Sequence, residues 1–63
     1  MIDPDDIKPD TLVQHRKTGD LYEVICIAEH TETQERMVVY RGIELRWVRP
    51  LADFCDGRFE LVR

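Results

Sequence analysis

The stretch Arg46–Phe54, with the sequence RWVRPLADF, decides how the fold of this chain is interpreted. It sets the single tryptophan, Trp47, between two arginines, and Pro50 then ends the strand because proline has no N–H to donate to a sheet ladder. The Leu-Ala-Asp-Phe step that follows has the spacing of one turn that folds back under a core. We therefore predict a strand over residues 45–49 and a 3₁₀ or helical turn over Leu51–Phe54.

Alternating apolar residues between polar turns predict four further strands. In the second of them, Tyr22, Val24, Cys26 and Ala28 are expected to point to one face. Five short strands with one helical turn before the last strand is the layout of an SH3-like barrel, and closure removes exposed sheet edges. The predicted fold class is all-β, a small five-stranded SH3-like barrel over residues 11–63, with strands at 11–16, 21–30, 35–41, 45–49 and 58–62.

Size and charge limit the function classes. With 63 residues the chain is one domain, too small for a deep, water-excluded active site. The net charge is −4, and carboxylates crowd the first residues around two X-Pro steps, so residues 1–10 are predicted to form an acidic flexible arm. No apolar run approaches the roughly 20 residues of a membrane span, and no signal sequence is recognised. The expected location is the cytoplasm, without membrane contact.

Four sequence blocks resemble a known family: GxLYEV at 19–24, AxHxET at 28–33, VVYR at 38–41 and WVRPLxxF at 47–54. Over about residues 15–54 the chain resembles the bacterial domain-of-unknown-function family numbered sixteen fifty-three. The resemblance implies a small, mainly β, cytoplasmic bacterial domain without a settled activity, and it brings no catalytic or ligand-binding residues. The chain departs from the family pattern after Arg41, where members have a longer loop that contains glycine.

Residues suited to catalysis or metal binding are few. Structural zinc sites take ligands in close pairs that a tight turn presents, and Cys26 lies inside an apolar strand, where a thiol acts as a small hydrophobe. We therefore predict no metal and no cofactor. The chain has no serine, and His30 with Glu32 is interpreted as part of a turn held by side-chain hydrogen bonds rather than as a base and its orienting group. The predicted domain is not an enzyme.

The best candidate for a ligand-binding surface combines three aromatic residues with two arginines: Tyr22, Tyr40, Trp47, Arg41 and Arg49. Aromatic residues at alternating positions of paired strands can line one surface. Arginines beside them can bind carboxylate or phosphate and stack on the rings.

Two alternatives to this interpretation are structural. Trp47 and one tyrosine can instead fill the core, since a small domain has few other large residues to bury. Arg49 can instead form an ion pair with Glu44, Asp53 or Glu60.

The predicted function is a non-enzymatic binding or adaptor module that recognises a protein or peptide segment, as a monomer or weak dimer. The alternative is an SH3-like module that binds nucleic acid through the same arginine-aromatic surface. The acidic total charge argues against tight non-specific nucleic-acid binding, which needs several unopposed cations.

Overall fold

Five antiparallel strands form one sheet in residues 1–62, the part of the chain that the computed structural model describes. The order across the sheet is β4-β3-β2-β1-β5, and a single short helix, α1, lies between the last two strands in the chain. A 3₁₀ helix, Pro4–Asp6, precedes the sheet. The bounds are β1 Leu12–His15, β2 Leu21–Glu29, β3 Arg36–Arg41, β4 Arg46–Pro50, α1 Leu51–Phe54 and β5 Phe59–Leu61.

The all-β class, the order of the elements and the helical turn at Leu51–Phe54 are confirmed. The predicted closure into an SH3-like barrel is wrong, because β4 and β5 lie at opposite ends of the sheet order and do not pair with each other within residues 1–62. One face of the sheet is instead covered by α1 and by the N-terminal segment, whose buried residues belong to the same core. No helix in this part of the chain is long and apolar enough to cross a membrane.

A β-bulge at Ile25 divides the long central strand β2 into two parts. Val24 pairs with Tyr40, but the next paired residue is Cys26, which lies opposite Val39. The extra residue reverses the alternation of side chains, since two residues of the bulged strand then face one residue of its partner. The prediction that Cys26 and Ala28 share the face of Tyr22 and Val24 is therefore wrong, and Ile27 packs against the core in their place.

Aromatic rings from four elements of the chain form the centre of the core. Phe54 of α1 stacks on Phe59 of β5, with ring centroids 4.4 Å apart. Tyr40 of β3 meets Phe54 edge-on at 5.2 Å, and Tyr22 of β2 meets Tyr40 edge-on at 5.5 Å. These rings belong to one cluster with three buried valines, Val13, Val24 and Val38. The helical turn is therefore joined to β1, β2, β3 and β5 by one core.

The N-terminal segment contributes to the same core. Asp3 caps the 3₁₀ helix by accepting a hydrogen bond from the Asp5 N–H at 2.9 Å. Ile2 and Ile7, on either side of this helix, are both buried in the core. The flexibility of an acidic arm over residues 1–10 stays a prediction, but the two isoleucines of that segment lie inside the domain, because so short a chain has little other apolar surface to bury.

Replacing Ile7 tests whether this segment stabilises the domain. We expect Ile7→Ala to lower the free energy of unfolding by about 2–4 kcal/mol, because the change removes buried methyl groups and leaves a cavity. Lys8→Ala is the matched control at an exposed neighbour and should change it by less than about 0.5 kcal/mol. Urea unfolding of both variants measures the difference, and equal stabilities would show that residues 1–10 add nothing to the fold.

Candidate functional site

The sheet register distributes the five predicted surface residues over two faces. Tyr40 and Trp47 are direct partners on β3 and β4, and directly opposite residues share a face. Arg41 follows Tyr40 in the strand and therefore points to the other face, where it lies opposite Arg46. Arg49 shares the face of Trp47, two residues away on β4.

Tyr40 belongs to the core and not to a ligand-binding surface. Its side chain is buried at 5% exposure in the aromatic cluster, and Tyr22 beside it is half-buried. Trp47, in contrast, is 46% exposed. The alternative that placed Trp47 in the core is therefore wrong. Both residues face the same side, but β4 is an edge strand, so no neighbouring strand covers the outer flank of Trp47.

Arg41 is engaged in an ion pair on the opposite face. Its Nε donates to Glu23 Oε1 at 2.9 Å, and Glu23 is its direct partner on β2. The pair also relieves the repulsion between Arg41 and Arg46, which face each other across β3 and β4. Arg41 is therefore neutralised and separated from Trp47 by the sheet.

An open groove lies beside Trp47, with a volume of about 670 Å³. We call it the Trp47 groove; the residues that define it here are Leu21, Tyr22, Gly42, Leu45 and Trp47. It forms because the turns before β2 and before β4 meet at the same end of the sheet. Three groove residues, Leu21, Gly42 and Leu45, were not predicted from the sequence. The signal for them was the pair of apolar residues, Ile43 and Leu45, in the short turn before β4.

Gly42 leaves room for the Tyr22 ring, which forms the floor of the Trp47 groove. A Cβ atom at this position would lie 3.2 Å from Cε1 of Tyr22, closer than the usual contact distance. The Tyr22 ring therefore packs directly on the backbone of the β3–β4 turn. That turn is short, with the Gly42 N–H donating to the Leu45 carbonyl at 3.0 Å.

Arg49 is half-buried at the edge of the same face. The neighbouring Tyr40 hydroxyl, as a hydrogen-bond acceptor, makes the largest contribution to a raised Arg49 pKa; burial opposes it and Asp53 adds to it. The Nε atom of Arg49 is buried without a hydrogen-bond partner in residues 1–62. The suggested ion pairs of Arg49 are not formed in this part of the chain, and Glu60 pairs with Arg16 at 2.9 Å instead.

The family described as "Protein of unknown function (DUF1653)" matches residues 11–60, which include β1 to β4, α1 and all of β5 except Leu61. The chain belongs to this family. No curated protein and no solved structure matches the chain. The family assignment confirms the resemblance found in the sequence, and it assigns no activity to the Trp47 groove.

In this family member the His30 region is a turn. The His30 Nδ1 atom accepts a hydrogen bond from the Glu32 N–H at 3.1 Å, and the Thr33 hydroxyl accepts one from the Glu35 N–H at 3.2 Å. Gln34 completes the turn with a φ of 58°. The His30 Nδ1 atom thus accepts a backbone N–H instead of donating to the Glu32 carboxylate as its orienting group, in agreement with the turn interpretation.

Cys55 is a buried thiol. Burial raises its pKa above the ordinary value of 9.0, and the negative charges of Asp3 and Asp56 raise it further. Within residues 1–62 no three His, Cys, Asp or Glu side chains are grouped so that they could hold a metal ion.

The raised Cys55 pKa makes a prediction for alkaline pH. Above the unfolded-state pKa the unfolded chain releases the thiol proton while the folded chain keeps it, so stability is lost as pH rises from the unfolded toward the folded value. We expect the free energy of unfolding to fall more steeply between about pH 8 and about pH 10 in the unmodified chain than in Cys55→Ala. Urea unfolding across this range measures both slopes, and parallel slopes would contradict the prediction.

Trp47 and Tyr40 differ in what their removal costs. We expect Tyr40→Ala to lower the free energy of unfolding by about 3–5 kcal/mol, because a buried ring is lost from the core. Trp47→Ala should lower it by only about 1 kcal/mol, since half of the side chain is already in water. Urea unfolding of the two variants compares them directly. A larger loss for Trp47→Ala would mean that Trp47 is a core residue.

Proposed function

We propose that this domain is a non-enzymatic binding module for a protein or peptide segment, and that the Trp47 groove is its contact surface. The observation that carries the proposal is a half-exposed tryptophan that continues into exposed leucines. Leu21 is 52% and Leu45 is 58% exposed, and both line the groove beside Trp47. Clustered exposed apolar side chains mark interaction sites, and tryptophan is among the residues enriched at binding hot spots.

The groove is built on rigid elements, which favours binding. Tyr22 forms its floor and is held from below by edge-on contact with Tyr40, a buried residue. Trp47 is fixed on β4 by its pairing with Tyr40 on β3. A surface that is already ordered loses little conformational entropy when a ligand binds.

Nucleic-acid binding, the alternative, has less support. Arg41 is paired with Glu23 on the opposite face, and Tyr40 is buried and cannot stack on a base. The carboxylates of Asp20 and Glu44 line the Trp47 groove and would repel a chain of phosphates that runs through it. Of the five predicted surface residues, these features leave Trp47 and Arg49 as the exposed aromatic residue and the unpaired arginine that share one face within residues 1–62.

Three further statements belong to the same proposal. An SH3-like relationship is supported by the order of the elements and the helical turn before the last strand, although the sheet is open. A cytoplasmic location and a monomeric or weakly dimeric state stay predictions from the sequence.

Peptide selection tests the proposed function. Random peptides about nine residues long are selected against the immobilised chain, and the enriched peptides are titrated into isotope-labelled protein. We expect amide shifts at Leu21, Gly42 and Leu45, with at least about tenfold weaker binding to Trp47→Ala because the hot-spot side chain is lost.

The matched control is Leu12→Ala, an apolar residue of similar exposure outside the groove, which should bind as the unmodified chain does. The absence of any enriched peptide would overturn the proposal. Binding of single-stranded oligonucleotides that weakens steeply with salt would favour the nucleic-acid alternative instead.

A further inference from the structure

We propose that the open edge of β4 binds an extended acidic segment of a protein partner, which adds to the sheet as a sixth strand beside the Trp47 groove. The inference rests on the proposed peptide-binding function and specifies its mode and the chemistry of the partner. It follows from the hydrogen-bonding register of β4 and from the charges on that strand.

The register determines which backbone groups of β4 are free. Gly42 and Leu45 are hydrogen-bonded to each other, and hydrogen-bonded pairs alternate with non-bonded pairs along an antiparallel ladder. Trp47 and Arg49 therefore direct their N–H and C=O groups to β3. The groups of Arg46 and Val48 point away from the sheet, where residues 1–62 provide no further strand.

Pro50 occupies a position that agrees with this register. Pro50 is the last residue of β4 and lies opposite Met37 of β3 in a non-bonded pair. Its nitrogen therefore lies on the free side of the strand, where a missing N–H interrupts no ladder. The opposite edge of the sheet is different, because Met1, Ile2 and Asp3 lie beside β5. The N-terminal segment thus occupies the surroundings of β5, whereas β4 is left open.

The side chains along the open edge read arginine, apolar, apolar, arginine, from Arg46 to Arg49. Val48 is 60% exposed, and neither Arg46 nor Arg49 forms an ion pair in residues 1–62. A strand that pairs with this sequence is complementary when it reads acidic, apolar, apolar, acidic, and this pattern is the same for parallel and antiparallel addition. The added apolar residue opposite Trp47 would then enter the groove.

Arg49 provides the most specific part of this complementarity. Its Nε atom is a buried donor without a partner in the described residues, and such a group is costly to leave unpaired. A carboxylate on the added strand, opposite Arg49, cannot reach the buried Nε but can bind the two terminal nitrogens of the guanidinium group through two hydrogen bonds.

A partner strand fits this edge better than a second copy of the chain. Pairing of two β4 strands would bring four arginines to one seam without a carboxylate on either strand. Like charges that face each other across strands are destabilising. Charge complementarity therefore selects an acidic segment of another protein.

The peptides selected against the immobilised chain test the inference. We expect the enriched peptides to contain two acidic residues that flank two apolar residues. Binding to Val48→Pro should be at least about tenfold weaker than binding to Val48→Ala, because proline removes an edge donor while its nitrogen faces away from β3. The acidic peptide residue opposite Arg49 can be changed to its amide. This change should weaken binding to the unmodified chain about tenfold and leave binding to Arg49→Gln nearly unchanged.

Hydrogen exchange of the unmodified chain gives a second measurement that does not depend on how Val48→Pro folds. The amides of Arg46 and Val48 should become protected when peptide binds, whereas those of Trp47 and Arg49 are already protected by β3. Peptides that bind without this protection, or without the acidic pattern, would overturn strand addition and leave the proposed function intact. No binding peptide at all would overturn both. Concentration-dependent dimers of the free chain that Val48→Pro abolishes would assign the edge to a second copy and overturn the acidic partner.

Discussion

The contact on which the structure depends is the stacking of Phe54 on Phe59. Phe54 lies on the helical turn that directly follows β4, and Phe59 begins β5, so the two rings connect opposite ends of the sheet over one core. A closed barrel joins its end strands by backbone hydrogen bonds. In this domain aromatic packing holds the ends together instead, and Tyr40 completes the contact from the centre of the sheet. The sheet can therefore stay open without exposing its core, and the edge of β4 remains free.

The elements were predictable because their signals are local. Pro50 followed by the Leu-x-x-Phe step predicted α1 with the observed bounds, and alternation of apolar residues predicted all five strands. The bulge at Ile25 was not predictable, because β2 is apolar on both faces near this residue and either parity satisfies the pattern. The barrel prediction failed for a related reason: closure depends on how two distant strands are placed, and no local pattern records it.

The candidate site was predicted only in part, and the errors have a common cause. Tyr40 and Arg41 are adjacent in a strand and therefore point to opposite faces. They could not both belong to one ligand-binding surface. Whether Trp47 is buried depends on a neighbour for β4, which is a property of the whole sheet. Leu21 and Gly42 approach Trp47 only because two hairpin turns meet at one end. Residue types thus identified Trp47 and Arg49, while the register of the sheet determined their surroundings.

The arginines of β4 connect stability with recognition. Natural proteins protect open sheet edges with charged residues and proline, because an unprotected edge pairs with other copies of the chain. Arg46, Arg49 and Pro50 place such protection on β4, yet the N–H of Val48 between them remains available. In the proposed strand addition, the positive charge that opposes pairing between two β4 strands would attract a strand of opposite charge, so one set of side chains would both disfavour self-pairing of β4 and favour an acidic partner. Glu23 contributes to this selectivity because it pairs with Arg41 on β3. Of Arg41, Arg46 and Arg49, the arginines that remain unpaired within residues 1–62 are then the two on the edge strand.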